Sequence, residues 1–472
     1  MNKYNSKSAL KILAFFTFIS AVLVSYFTIF HPVIPLKVQT ASANSKVNSD
    51  NPLIKISSFV NNNYYYNNNS IYLYVDIDAQ KIERVSKTPL NISVVIDRSG
   101  SMSEKNKLDY VKKAVNYIID ETGPNDYISI VTYDDNVDVL QRINLINNKF
   151  ELKKAVNDLK PGGFTNLSGG LFEGYDQINY NYKRGYVNKV FLLSDGIANR
   201  GITDRFELSE LVKEKTRRDG ISISTFGVGN DFNENLMTGI AEYGKGNYYY
   251  IKNSADIPEI FALELNSLKH LLAQSAKIKV RFPNNFLKLS KVYGYDYVAE
   301  GENVVIDLKD IYSGQKKSVL LKFDFTRNTN EMLKFESELI YIDVEKNFKN
   351  IAEKSVNTIE YTIDKNVYNA NKNIYAEQNI AMFEANELME EALRNTDDGN
   401  YNKAKDLISG AKKYINEKIE ELGSTPELKK QSENIRSYDY ELETIEQKSA
   451  EEKNELQKSK KYDNYRTRKK TE

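Results

Sequence analysis

The stretch VVIDRSGSMSEKNK, Val94 to Lys107, sets a carboxylate and a cluster of hydroxyls directly behind a hydrophobic strand pattern. Asp97, Ser99 and Ser101 fall at every second position. Two later stretches end in groups of the same kind. Thr165 lies in the Gly-rich GGFTNLSGG, which opens a predicted helix, and Asp195 closes the predicted strand KVFLLSD. In an open parallel sheet the loops leaving the carboxyl ends of the strands form the ligand crevice. Three hydroxyls and two carboxylates are therefore expected to converge on one rim.

Several chemistries can be weighed for such a set. A serine nucleophile needs an adjacent base, commonly histidine, itself oriented by a third group. The chain has only two histidines, His31 and His270, and a structural role is expected for His270 at the end of a predicted helix. The G-x-S-x-G elbow and the S-x-x-K motif are missing around Ser99, as are a P-loop and an H-E-x-x-H helix. Cysteine is absent, which excludes disulfides, zinc–thiolate sites and iron–sulfur clusters. Hard oxygen donors without nitrogen or sulfur suit magnesium, with manganese or calcium as alternatives. Neutral hydroxyl ligands leave much of a dication's charge uncompensated, so an open coordination position favours an incoming Asp or Glu carboxylate. The plainer alternative is that the five residues are helix caps and turn residues, where Ser and Asp are common. Arg98 and Met102 read as a solvated arginine and a packed methionine, and Asp134 and Asp135 as a hairpin turn.

The elements that must position these groups follow from periodicity. From Asn91, buried strand runs alternate with segments of helical spacing, which predicts a mostly parallel sheet covered on both faces. YISIVTY and VDVLQRI are separated too briefly for a crossover, so that pair is expected to be antiparallel. This α/β unit is assigned to residues 90–273. Alternating strands precede it (52–88) and follow it (274–364), which predicts a discontinuous β-sandwich with the α/β unit inserted. Residues 367–447 read as a helical hairpin plus a short coiled-coil-like helix, in which Leu428, Ile435 and Leu442 recur every seventh residue. Residues 448–472, charged and nearly devoid of large aliphatics, are expected to be a disordered tail.

D-x-S-x-S at Asp97–Ser101, the threonine of GGFTNLSGG and the aspartate of LLSDGIANRGITD together resemble the von Willebrand factor A domain with an intact metal-ion-dependent adhesion site. TFGVGNDFNENLMTGIAEYGKGNYYYI resembles the distal half of bacterial members of that superfamily. The flanking regions are similar to bacterial relatives of inter-α-trypsin inhibitor heavy chains. The resemblance implies a doubly wound, six-stranded α/β (Rossmann-like) domain. It implies hydroxyl ligation by Ser99, Ser101 and Thr165, with Asp97 and Asp195 acting directly or through water.

The remaining features bound the partner and the compartment. Formal net charge is zero, which gives no electrostatic reason to expect nucleic acid. Lys3, Lys7 and Lys11 precede an apolar run from Ile12 to Phe30, and residues 1–43 read as a signal peptide or signal anchor. The expectation is an exported, non-enzymatic, metal-dependent binding protein. It would be secreted or membrane-anchored at the bacterial cell surface, and would act in adhesion or complex assembly. A metal-dependent hydrolase or self-cleaving surface protein, and a structural envelope scaffold, are the alternatives.

Overall fold

The computed structural model describes residues 52–469, apart from 68–69, 83–87, 196–197, 231, 269, 345 and 347–348. The segment read as a signal peptide or anchor, residues 1–43, lies outside the described residues. Among the described residues no helix is long and apolar enough to cross a membrane.

Three strands come first: β1 (Ile54–Val60), β2 (Tyr64–Tyr65) and β3 (Ile71–Ala79). The α/β unit follows, beginning with β4 (Leu90–Asp97), α1 (Lys107–Glu121), β5 (Tyr127–Tyr133), β6 (Val137–Leu145) and α2 (Lys149–Asn157). It continues through α3 (Leu167–Tyr180), β7 (Val187–Ser194), α4 (Arg205–Asp219), β8 (Ser222–Val228), α5 (Glu234–Tyr243), β9 (Lys245–Ile251) and α6 (Ile257–Leu268). Strands then return as β10 (Leu271–Arg281), β11 (Leu287–Tyr293), β12 (Tyr297–Glu300) and β13 (Asn303–Tyr312). β14 (Lys316–Phe325), β15 (Leu333–Asp343) and β16 (Lys349–Tyr361) complete them. Helices α7 (Lys365–Ala370), α8 (Ile374–Asp397), α9 (Tyr401–Leu422), α10 (Pro426–Glu443) and α11 (Ala450–Lys469) end the described chain.

The α/β sheet has the order β6-β5-β4-β7-β8-β9, parallel except for β6, which runs antiparallel to β5. The central strands β4 and β7 are buried along their whole length, as strands covered on both faces must be. Val111, Val115 and Ile118 of α1 and Phe261 and Leu265 of α6 cover one face. Leu171 of α3, Val212 of α4 and Ile240 of α5 cover the other. Gly170 lets α3 approach: a Cβ there would lie 2.3 Å from the ring of Tyr133.

β3 pairs with β14, so a strand preceding the α/β unit is completed by one following it. The sheets β1-β3-β14-β11 and β12-β13-β10-β15-β16-β2 face each other as a sandwich. Leu73, Val75, Ile77 and Phe323 of the first share a core with Ile278, Val304, Phe335 and Leu339 of the second. Helix α6 leads directly into β10 and is fixed to the α/β sheet by a buried ion pair, Lys189 Nζ to Glu264 Oε1 at 2.8 Å. Burial alone would raise the Glu264 carboxyl. The Lys189 ammonium and hydrogen bonds from Ser224 and Tyr249 outweigh it and hold the group below its ordinary value.

The C-terminal helices share one core. Ala381 and Ala385 of α8 and Ala404 and Ala411 of α9 are fully buried, and Leu428, Ile435 and Leu442 of α10 pack into the same cluster. The expectation of a disordered tail at 448–472 fails over most of its length, because Ala450–Lys469 is helical. Its anchors are aromatic rings and lysine stems, which a count of large aliphatics misses. Tyr462 and Tyr465 meet Tyr248 edge-on, at 5.8 and 5.7 Å between centroids. Lys458 lies over the Phe232 ring and donates to the Phe232 carbonyl at 2.6 Å. Lys461 reaches both Glu234 and Asp397, so α11 ties the α/β unit to α8.

Burial pushes Glu234 at this contact up to about 7, from an ordinary value of 4.5, despite the opposing charges of Lys461 and Lys458. Between those values the folded protein holds a proton that the unfolded chain releases, so this group's contribution makes stability fall as pH rises through the window. Urea unfolding is expected to show Glu234→Gln level with wild type below pH 4.5. Above pH 7 the variant should be the more stable by at most about 3 kcal/mol. A constant difference across that range would contradict the burial cost.

Candidate metal centre

Asp97 ends β4, and Asp195 directly follows β7, the parallel neighbour of β4. Two adjacent parallel strands thus deliver two carboxylates to the same carboxyl edge of the sheet. Both are fully buried, and the charge of Asp195 acts on Asp97. Burial first, and then Asp195, push the Asp97 carboxyl up to about 6, against hydrogen bonds from Ser194 and Ser99 that pull it down.

The turn after β4 places the two serines. Ser99 N donates to Asp97 Oδ1 at 2.9 Å, which closes the turn onto the strand end. Met102 N bonds the Ser99 carbonyl and begins a short 3-10 turn, with Met102 in the core as expected of a packed methionine. Ser99 Oγ and Ser101 Oγ then lie 3.2 Å apart and share a hydrogen bond. Ser99 is 1% exposed, and Ser101 is half-buried beside it.

Thr165 is brought to the same edge by backbone bonds on both sides of its loop. Gly162 N donates to the Arg98 carbonyl at 2.8 Å and Gly100 N to the Gly163 carbonyl at 3.0 Å. On the other side Asn199 clamps Thr165 reciprocally. Thr165 N donates to Asn199 Oδ1 at 2.7 Å, while Asn199 N and Arg200 N donate to the Thr165 carbonyl. The loop carrying Thr165 is therefore fastened both to the turn of Ser99 and to the segment after Asp195.

Four partners at this edge were not singled out from the sequence. Ser194 Oγ donates to Asp97 Oδ2 at 2.6 Å, and Tyr133 OH reaches the same oxygen at 3.2 Å. Asn199 is the third. The fourth is Lys107, buried at 1% exposure, whose Nζ donates to Asp195 Oδ2 at 3.1 Å. Ser194 precedes Asp195 in the quoted LLSD, and Lys107 closes the opening motif, but only the fold turns them inward. Arg98, expected to be solvated, is held by Asp134 and Asp138 at 3.0 Å each. Asp134 Oδ1 also accepts from Asn136 N within the turn. His270, just past the end of α6, bonds the Asn266 carbonyl of that helix at 2.8 Å.

The donor set fits a hard divalent cation on three observations. The 3.2 Å between the serine oxygens is close to the ~3.0 Å edge of an octahedron with magnesium–oxygen bonds of about 2.1 Å. Asp195 Oδ1 is buried with no hydrogen-bond partner among the described residues, an expensive state for a carboxylate oxygen unless something binds it. Oxygen donors alone, two of them anionic, match magnesium, manganese or calcium rather than softer metals.

Residues 91–263 match the model of the von Willebrand factor type A domain. The uncharacterized protein YfbK of Escherichia coli is 31% identical over 261 residues, covering 54% of this chain and 45% of that protein. Bovine inter-alpha-trypsin inhibitor heavy chain H1 is 28% identical over 170 residues, covering 34% and 18% respectively. The chain thus spans less than half the length of both relatives. A solved structure described as von Willebrand factor type A from Catenulispora acidiphila superposes over 82% of this chain and 91% of its own. Its TM-score is 0.65 and its identity 15%, a likeness of fold. The α/β unit has the von Willebrand factor type A fold.

Ser194→Ala removes the short bond to the buried Asp97 carboxylate. It should destabilise the protein in EDTA by about 2 kcal/mol in chemical denaturation. Unchanged stability would show that Ser194 does not support Asp97.

Proposed function

We propose that this protein is an exported, non-enzymatic binding module. It takes up a divalent cation, magnesium in the first place, among Asp97, Ser99, Ser101, Thr165 and Asp195, and through it holds an Asp or Glu carboxylate of a protein partner. The observation that carries this reading is the pair of serine hydroxyls 3.2 Å apart on the same sheet edge as a buried carboxylate oxygen without a partner. Von Willebrand factor type A domains commonly serve protein–protein interaction or adhesion, which agrees with it.

The hydroxyls of Ser99, Ser101 and Thr165 would hold the ion. Asp97, with both oxygens already bonded to Ser99 N, Ser194 and Tyr133, would act from behind them and keep the Ser99 turn in place. The bound ion supplies Lewis acidity toward an incoming carboxylate. Phe164, adjacent to Thr165, is 52% exposed and stacked by the Arg200 guanidinium at 4.5 Å. It forms an apolar shelf beside the rim, edged by the Arg200–Asp135 ion pair at 3.0 Å. Turnover would need a base near the serines, and His270 stands at the end of α6. Its ring nitrogen is engaged by the Asn266 carbonyl. Export rests on the lysine-flanked apolar segment in residues 1–43.

Calorimetric titration of the protein with MgCl2 should show one site. Ser99→Ala and Thr165→Ala should weaken it by roughly 10- to 100-fold, the range seen when the supports of a metal site are removed. Binding of equal strength by wild type and both variants would overturn the assignment.

A further inference from the structure

The proposed site already holds a side-chain cation, the ammonium of Lys107. Lys107 is the first residue of α1, and its side chain crosses to the end of β7 to bond Asp195 Oδ2 at 3.1 Å. Lys107 is 1% exposed and Asp195 is fully buried, so the pair sits inside the protein. The passage is shaped for the lysine. Gly229, just past β8, has φ +76, and a Cβ there would lie 2.9 Å from Lys107 Cε and 3.3 Å from Cγ. Lys107 itself follows two non-glycine residues with left-handed backbone, Lys105 at φ 49 and Asn106 at φ 61. That conformation is uncommon outside glycine and redirects the chain just before α1. Lys105 is in turn tied to Glu451 of α11 at 2.5 Å.

An ammonium on one oxygen of Asp195, with no hydrogen-bond partner for the other among the described residues, changes the charge balance of the rim. Two carboxylates alone would neutralise a dication. Lys107, bonded to Asp195, lowers the negative charge that the two carboxylates offer, so a dication bound there is left incompletely neutralised in a buried setting. A residual positive charge weakens the hold on the ion and strengthens its demand for an anionic ligand. Coulomb energies at an effective dielectric of about 20 are several kcal/mol at such spacings, enough to govern both.

We infer that Lys107 is a built-in counter-cation that trades metal affinity for carboxylate affinity: by pairing with Asp195 it keeps the loaded site electropositive, so that the partner's acid completes it. The inference rests on the metal reading of the rim and assigns to one further residue the control of that site's ligand preference.

The test is Mn2+ titration of the full chain followed by electron paramagnetic resonance, with wild type, Lys107→Met and Lys107→Arg. Lys107→Met should bind Mn2+ at least ~10-fold more tightly than wild type, while Lys107→Arg, which keeps the charge, stays within about threefold. Acetate added to the Mn2+-loaded proteins, read by water-proton relaxation, should displace bound water at lower concentration in wild type than in Lys107→Met. Should Lys107→Met fail to fold in EDTA, MgCl2 should restore its circular dichroism, because the ion then replaces the missing ammonium. Failure to restore it overturns the inference. Equal or weaker Mn2+ binding by a folded Lys107→Met also overturns the role of Lys107 and leaves the metal site standing. Absence of Mn2+ binding by wild type removes the metal reading itself.

Discussion

Two carboxylates buried side by side cannot be left alone, and the parallel pairing of β4 with β7 puts Asp97 and Asp195 in that position. Their mutual repulsion in a water-poor setting is the constraint to which the rest of the edge responds. Asp97 is met by hydrogen-bond donors from three directions: the Ser99 amide, Ser194 and Tyr133. Asp195 is met by the ammonium of Lys107 on one oxygen only. The asymmetry gives the two acids different tasks. One organises the serine turn, and the other keeps one buried oxygen without a hydrogen-bond partner among the described residues.

The surrounding architecture serves to keep this edge rigid. The Thr165 loop is stitched by backbone bonds to the serine turn on one side and to Asn199 on the other, so that none of the three segments can move independently. At α6, the Lys189–Glu264 pair and its hydroxyl partners pin the last helix of the α/β unit before it enters the sandwich. Breaking one member of such a buried pair typically costs about 3–5 kcal/mol, so this junction resists displacement. Helix α11 adds a brace between the α/β unit and α8 through Lys461, with Glu451 touching the segment just before Lys107.

Much of the fold could be read from periodicity alone. Continuous apolar runs gave buried parallel strands, alternation gave sandwich strands, and the short YDDN connection forced β6 to run antiparallel. Orphan strands ahead of the α/β unit required partners beyond it, and β3 finds β14. Helix α11 escaped because its contacts to the α/β unit are made by Tyr462, Tyr465 and Lys458, residues that raise no aliphatic signal. At the site, spacing and strand ends pointed to the five residues proposed to hold the ion. Lys107 did not stand out, since a lysine at a helix start normally reads as solvated. Its burial depends on the gap at Gly229 and on Asp195, some ninety residues away, which no local pattern encodes.

Crystals soaked in MnCl2 and measured for anomalous scattering put the cation at this edge to the most direct test. The expected result is one strong peak beside Ser99 Oγ and Ser101 Oγ on the side facing Thr165, with Lys107 still bonded to Asp195. A rim without anomalous density at saturating manganese, or a peak placed away from both serines, would contradict it.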